Sequence, residues 1–214
     1  MCIRDSALNQ VAHFDSNSQR SERSWILGLN SHLPKAASVL WIRAVDEDFH
    51  ARFSAFARTY QYRILNRWIR PALDSRRMSW CKAPLDVEAM NEAAQALLGE
   101  HDFTSFRATA CQARHAVREI QAISVKRVGD TVTLDVTANG FLYHMVRNIA
   151  GSLMHVGKGE APVSWMKETL EKLDRNAAAP TAPPEGLYFV GARYPSNYGL
   201  PGGAPAFPRG RGLS

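Results

Sequence analysis

Cysteine is scarce in this chain, with three among 214 residues, at Cys2, Cys81 and Cys111. The number is odd and the spacings are wide. They fit neither a disulfide framework nor a zinc cluster, and they suit a reducing cytoplasm. No apolar run approaches the roughly 20 residues that span a bilayer. The opening stretch MCIRDSALNQ lacks the apolar centre of a secretory signal. Glycine-rich phosphate loops of the Walker and dinucleotide kinds are missing, and so are H-E-x-x-H and the nucleophile elbow. Nothing in the sequence asks for a metal, a nucleotide cofactor or a flavin, and no segment repeats.

What the chain has is positive charge. Lysine and arginine number 26 against 20 aspartates and glutamates, for a net +6. That balance favours a polyanionic partner, chiefly nucleic acid. Hydrophobic residues make up 45% of the chain, enough for an ordinary globular core in one large domain or two small ones.

Periodicity predicts the elements. Ser21 to Leu29 reads as a short helix before Pro34. Val39-Leu40-Trp41-Ile42 reads as a buried strand. Arg58 to Asn66 alternates, with Tyr60, Tyr62 and Ile64 on one face and Gln61 and Arg63 on a wet one. Asp86 can cap a helix running to Leu98, with Gly99 as its terminator. Val117–Val128 and Thr131–Ala138 flank Gly129-Asp130 as a hairpin. Leu142, Val146, Ile149, Leu153 and Val156 recur at three- and four-residue steps, the stripe of a core-facing helix. A further helix is expected around Val163 to Leu173. Asn176 to Pro184 then reads as an Ala/Pro-rich linker, Leu187 to Ala192 as a last strand, and the chain beyond Pro195 as irregular. The class is α+β, a mixed, largely antiparallel sheet with flanking helices.

Four stretches carry chemistry. In FLYHMVRN (141–148), Arg147 lies beside the apolar stripe. A charge at the edge of a core is costly unless paired, so a carboxylate or phosphate is expected opposite it. In HARFSA (50–55), Arg52 beside His50 suits phosphate contact; equally, this is a basic loop with Phe49 and Phe53 packed inward. Tyr60 and Tyr62 are either core and rim aromatics or a platform for a base, worth roughly 1–3 kcal/mol per stacked base. In TACQARHAVR (109–118), a small-residue loop bears Arg114, His115 and Arg118. It is either a solvated connector or a loop that shapes itself to a phosphate backbone. HDFTSFR (101–107) reads as structural, with Asp102 capping a turn.

In order, QVAHF (10–14), LGLNSHLP (27–34), FHARFSA (49–55), RTYQYRILN (58–66), DFTSF (102–106), NGFLYHMVRNIAGSL (139–153) and EGLYFVGARYP (185–195) resemble the TruA-type pseudouridine synthases. The resemblance covers nearly the whole chain, from about Ala7 to Tyr198. It implies an isomerase that converts uridines at about positions 38–40 of the tRNA anticodon arm to pseudouridine. It further implies two ferredoxin-like subdomains, a homodimer in the cytoplasm and no cofactor or metal. By position, Arg147 matches the arginine paired with the catalytic aspartate, Tyr60 the tyrosine against the target base, and Leu187 an apolar residue lining the base site. Phe49, His50, Ala51, Arg52 and Phe53 match one tRNA-contacting segment, and Ala110, Cys111, Gln112, Ala113 and Arg114 another.

The family's nucleophile is the aspartate of an R-T-D-A-G-V-H motif just upstream of Q-V-x-H-F, and this chain has no such motif. Counting back from Gln10, the aspartate falls near Cys2. Asp5 lies too close to Gln10 to take its place. Gln10 to Phe14, the first native-looking element, has no strand before it to pair with, an exposed edge that proteins avoid. The natural protein is therefore expected to be longer at its N-terminus. Residues 1–48 would be the remnant of a first, incomplete subdomain, 49–198 the second subdomain and 199–214 a Pro/Gly-rich tail. The chain as it stands is expected not to turn over. Two other readings stay open, a catalytically dead tRNA-binding module and a basic domain with no nucleic-acid role.

Overall fold

The Val117–Val128 and Thr131–Ala138 runs form the hairpin their alternation predicts, and the sheet grows outward from it. The structure, a computed structural model, describes residues 6–201. Its strands are β1 (Ser6–Ala7), β2 (Ala57–Asn66), β3 (Ser79–Cys81), β4 (Gly99–Asp102), β5 (Val117–Val128), β6 (Thr131–Ala138) and β7 (Leu187–Arg193). They follow the order β1-β7-β2-β6-β5-β4, with β3 alongside the end of β2. The β7–β2, β2–β6, β6–β5 and β5–β4 pairs are antiparallel; β1–β7 and β2–β3 are parallel. The class is α+β with a mostly antiparallel sheet, as the sequence pattern implies.

Four α-helices accompany the sheet: α1 (Glu22–His32), α2 (Val87–Gln95), α3 (Met145–Gly157) and α4 (Trp165–Glu171). One sheet face carries Tyr62 and Ile64 from β2, Ile123 and Val125 from β5, and Val132, Leu134 and Val136 from β6, all buried. These meet Met90, Ala93 and Ala94 of α2, Met166 and Leu170 of α4, and the α3 stripe of Val146, Ile149, Leu153 and Val156. Each such side chain withdrawn from water contributes about 1.5–3 kcal/mol. Leu142, the first residue of the predicted stripe, is buried in the turn before α3. Helices α2 and α3 touch at Gly157, where a Cβ would stand 2.6 Å from the Met90 sulfur.

Several expectations need correcting. Val39–Ile42 is neither a strand nor buried: Leu40 is 77% exposed, and Asn30 brackets the Val39 backbone with two hydrogen bonds (2.9 and 2.7 Å). An apolar run becomes a strand only where an edge offers pairing. Gln10–Phe14 is likewise irregular, and the strand in this region is Ser6–Ala7 against β7. The first helix runs to His32 beyond the expected Leu29, with Ser21 as its cap. Asp86 caps α2 as expected, but the helix stops at Gln95 and Gly99, at φ +91°, opens β4. The helix expected over Val163–Leu173 is confined to Trp165–Glu171. Gln61, placed on a wet face, is 6% exposed beneath Asp135 and Arg63, to which it is hydrogen-bonded. Among the described residues no helix is long and apolar enough to cross a membrane.

Candidate functional site

The chain from Asp174 to Pro184 lies along α3 and delivers the polypeptide into β7. Its Ala/Pro composition suggests a spacer, but its backbone is bound at nearly every step. The Ala182 amide donates to the Arg147 carbonyl (3.1 Å), and the Arg147 Nε–H donates to the Ala182 carbonyl (2.7 Å). Next along, the Pro183 carbonyl accepts the Tyr62 hydroxyl (2.7 Å). Arg147 is therefore half-buried and held, and its hydrogen-bond acceptor is a backbone carbonyl where an anion was expected. Among the described residues no carboxylate forms an ion pair with it.

Tyr60, Tyr62 and Leu187 are brought together by register. Leu187 stands opposite Tyr62, and Phe189 opposite Tyr60. The two tyrosines do share a face, with different fates. Tyr62 is wholly buried in the core, while Tyr60 is partly exposed at its margin. The Tyr60 ring meets Phe141 edge-on at 5.0 Å and Phe189 at 5.2 Å. Such pairs fix ring orientation and add about 0.5–1.5 kcal/mol each beyond burial. Burial pushes the Tyr62 phenol well above its ordinary value; the nearby Arg147 charge opposes this and Glu185 adds to it.

The turn at residues 49–53 is built around the buried Phe49 and the half-buried His50. Phe49 packs against Tyr194 (5.4 Å) and Tyr198 (5.0 Å). The His50 ring Nδ1 accepts the amides of Arg52 (3.1 Å) and Phe53 (3.3 Å), geometry that assigns the ring proton to Nε2. Tyr194 donates its hydroxyl to the Ala51 carbonyl (2.7 Å), and Arg58 donates to the Arg52 carbonyl. Phe53, which one of the two readings of this loop packs inward with Phe49, is 73% exposed, with the Arg52 guanidinium 5.5 Å above its ring. A cation and an aromatic face at one exposed corner suit a phosphate and a base.

The second loop, 109–114, is wrapped around Arg107, which donates to the carbonyls of Cys111 (2.8 Å) and Ala113 (2.7 Å). It docks on the turn before α3: the Tyr143 amide donates to Cys111 Sγ (3.4 Å), and the Ala108 amide to the Tyr143 carbonyl (3.1 Å). Ala110, Gln112 and Arg114 face solvent. At Cys111 partial burial raises the thiol pKa, but the neighbouring amides and the Arg107 charge outweigh it and leave it below the ordinary value. Cys2, near which the family's aspartate would fall, and Asp5, too close to Gln10 to take its place, lie outside the described residues.

Sequence reasoning passed over several residues of this region. Phe141 lies within FLYHMVRN, and its aromatic character was the available signal. Arg175, Asn148 and Gly151 gave none, because what they hold is the backbone of a low-complexity segment. Among the described residues no group of three His, Cys, Asp or Glu side chains could hold a metal.

Residues 93–195, which include α3, β7 and the second loop, match a family model described as tRNA pseudouridine synthase. The tRNA pseudouridine synthase A of Xanthomonas campestris pv. campestris (strain B100) is 55% identical over 192 residues, covering 90% of this chain and 75% of the relative. That of Xanthomonas euvesicatoria pv. vesicatoria (strain 85-10) gives the same figures. That of Methylococcus capsulatus (strain Bath) is 53% identical over 194 residues, 91% of this chain and 72% of the relative. At this identity, over most of both sequences, the chain belongs to the tRNA pseudouridine synthase family.

Proposed function

We propose that the region joining β2, β7 and α3 receives a uridine flipped from the tRNA anticodon arm, at about positions 38–40, for conversion to pseudouridine. The observation that carries this is the placement of Arg147: its guanidinium is held at the segment that enters β7, one residue from the Tyr62–Pro183 bond, with Tyr62 opposite Leu187. The target base must leave its stack before its glycosidic bond can be reached. Tyr60, steadied by Phe141 and Phe189, supports the base, and Leu187 lines its apolar side. Arg147 keeps the attacking carboxylate ionised, since an opposite charge within about 4–6 Å lowers a carboxyl pKa by roughly 1–3 units.

In this reading the 49–53 and 110–114 segments grip phosphates, and the shape of the arm supplies selectivity. Residues 49–198 act as one subdomain, 1–48 belong to another, and the enzyme works as a cytoplasmic homodimer without a cofactor. Because the sequence carries no R-T-D motif, the chain by itself holds tRNA without isomerising it.

The test is binding of unmodified tRNA across a salt series, with pseudouridine assayed by mass spectrometry after cyanoethylation. Binding should weaken steeply with salt, Arg52→Ala should reduce the salt slope by about one, and no pseudouridine should form. Salt-independent or absent binding overturns the RNA assignment. Pseudouridine formation by the same chain overturns the binding-only part.

A further inference from the structure

We infer that the Asp174–Pro184 segment is a strap that sets the position of the Arg147 guanidinium, and that Arg175, Asn148 and Thr181 are positioning residues acting through it. The inference rests on the reading of Arg147 as the cation of the site. A spacer would leave its peptide groups to water. Here Arg175 donates to the carbonyls of Ala178 (3.2 Å) and Ala179 (3.1 Å), to Asn148 Oδ1 (3.2 Å) and to Thr181 Oγ1 (3.0 Å). Thr181 donates its own hydroxyl to Asn148 Oδ1 (2.6 Å), and Asn148, fully buried on α3, donates to the Phe106 carbonyl (2.8 Å). The Ala179 amide donates to the buried Ser152 hydroxyl (3.3 Å). These bonds fix the strap just ahead of Ala182, whose amide and carbonyl then close on the backbone and side chain of Arg147.

The consequence for Arg147 is geometric. A free arginine side chain samples many rotamers. Committing Nε to a fixed carbonyl removes that freedom and leaves the two terminal nitrogens of the guanidinium fork to meet an anion. Arg175 suits the inner role because its planar fork reaches four acceptors at once, which a lysine ammonium cannot reproduce. Among the described residues its hydrogen bonds all go to neutral oxygens.

The test reads Arg147 directly, in the full chain labelled with 15N-arginine. Its Nε–H resonance is assigned by its loss in Arg147→Lys. In the native protein that proton should exchange slowly. Thr181→Val, which keeps the side-chain shape, and Arg175→Lys should each shift the resonance and speed its exchange about two- to tenfold, the protection that one hydrogen bond provides. Val156→Ala, a core deletion on the same helix, should lower the melting temperature and leave the resonance in place. An unmoved resonance in both strap variants, or an equal change in Val156→Ala, overturns the inference. Because no RNA enters this measurement, its failure is distinct from failure of the tRNA-binding assignment.

Discussion

The carbonyl oxygen of Pro180 occupies the place where a side chain on residue 151 would begin: a Cβ there would stand 2.1 Å from it and 3.3 Å from the Ala182 amide nitrogen. Both neighbours are backbone, so neither can swing aside. Gly151→Ala should therefore displace the segment from α3 and lower stability by about 1–3 kcal/mol, the cost of inserting a methyl group into a filled space. Urea unfolding read by tryptophan fluorescence measures this. Gly28→Ala, at a glycine where nothing lies within 4 Å of a Cβ, should show no such loss.

Tyr62 makes a second prediction, concerning alkaline pH. Burial raises the phenol of the folded protein above its unfolded value of about 10. The folded state then holds a proton that the unfolded state releases. The stability linked to this group is complete below the unfolded value and is lost as pH rises above it. Native stability should thus fall from about pH 10 upward. In Tyr62→Phe that contribution to the slope should vanish, while stability at neutral pH drops by about 1–3 kcal/mol because the Pro183 carbonyl loses its donor. Melting temperatures of both proteins between neutral and alkaline pH separate the two effects.

The cysteines should differ sharply in reactivity. Cys81 is buried, and burial raises its thiol pKa; Cys111 is partly exposed and its pKa is lowered. The thiolate is the nucleophile, so iodoacetamide near neutral pH should alkylate Cys111 well before Cys81. Peptide mass spectrometry along a time course checks this. The Cys111 adduct should also loosen the 109–114 loop, since Sγ is the acceptor for the Tyr143 amide.

Long, strongly periodic segments were legible in the sequence. The hairpin declared itself through Val132, Leu134 and Val136 and the Gly129-Asp130 turn, and α3 through its stripe, because local pattern and tertiary burial agree there. Strands β3 and β4, of three and four residues, carry too little pattern to be read. They exist because β2 and β5 offer them edges. Val39–Ile42 has the composition of a strand but pairs with no strand among the described residues. Within the site, Arg147 and Tyr60 stood out by residue type, and Leu187 only through the resemblance to the family. The strap did not, because its contribution is made by carbonyls and amides that every sequence possesses, and only the fold tells which of them are engaged.

The 49–53 turn is shaped by partners far along the chain. Tyr194 bonds to Ala51 across 143 positions, and Tyr198 to Asp48 across 150. During synthesis, then, this corner leaves the ribosome long before the phenols that mould it. Nascent chains halted short of position 194 would already have made β2 and the central hairpin, yet would present Arg52 and Phe53 on an unformed loop. The shape of this corner would be among the last features the growing polypeptide acquires, settled only when the residues around position 194 have emerged.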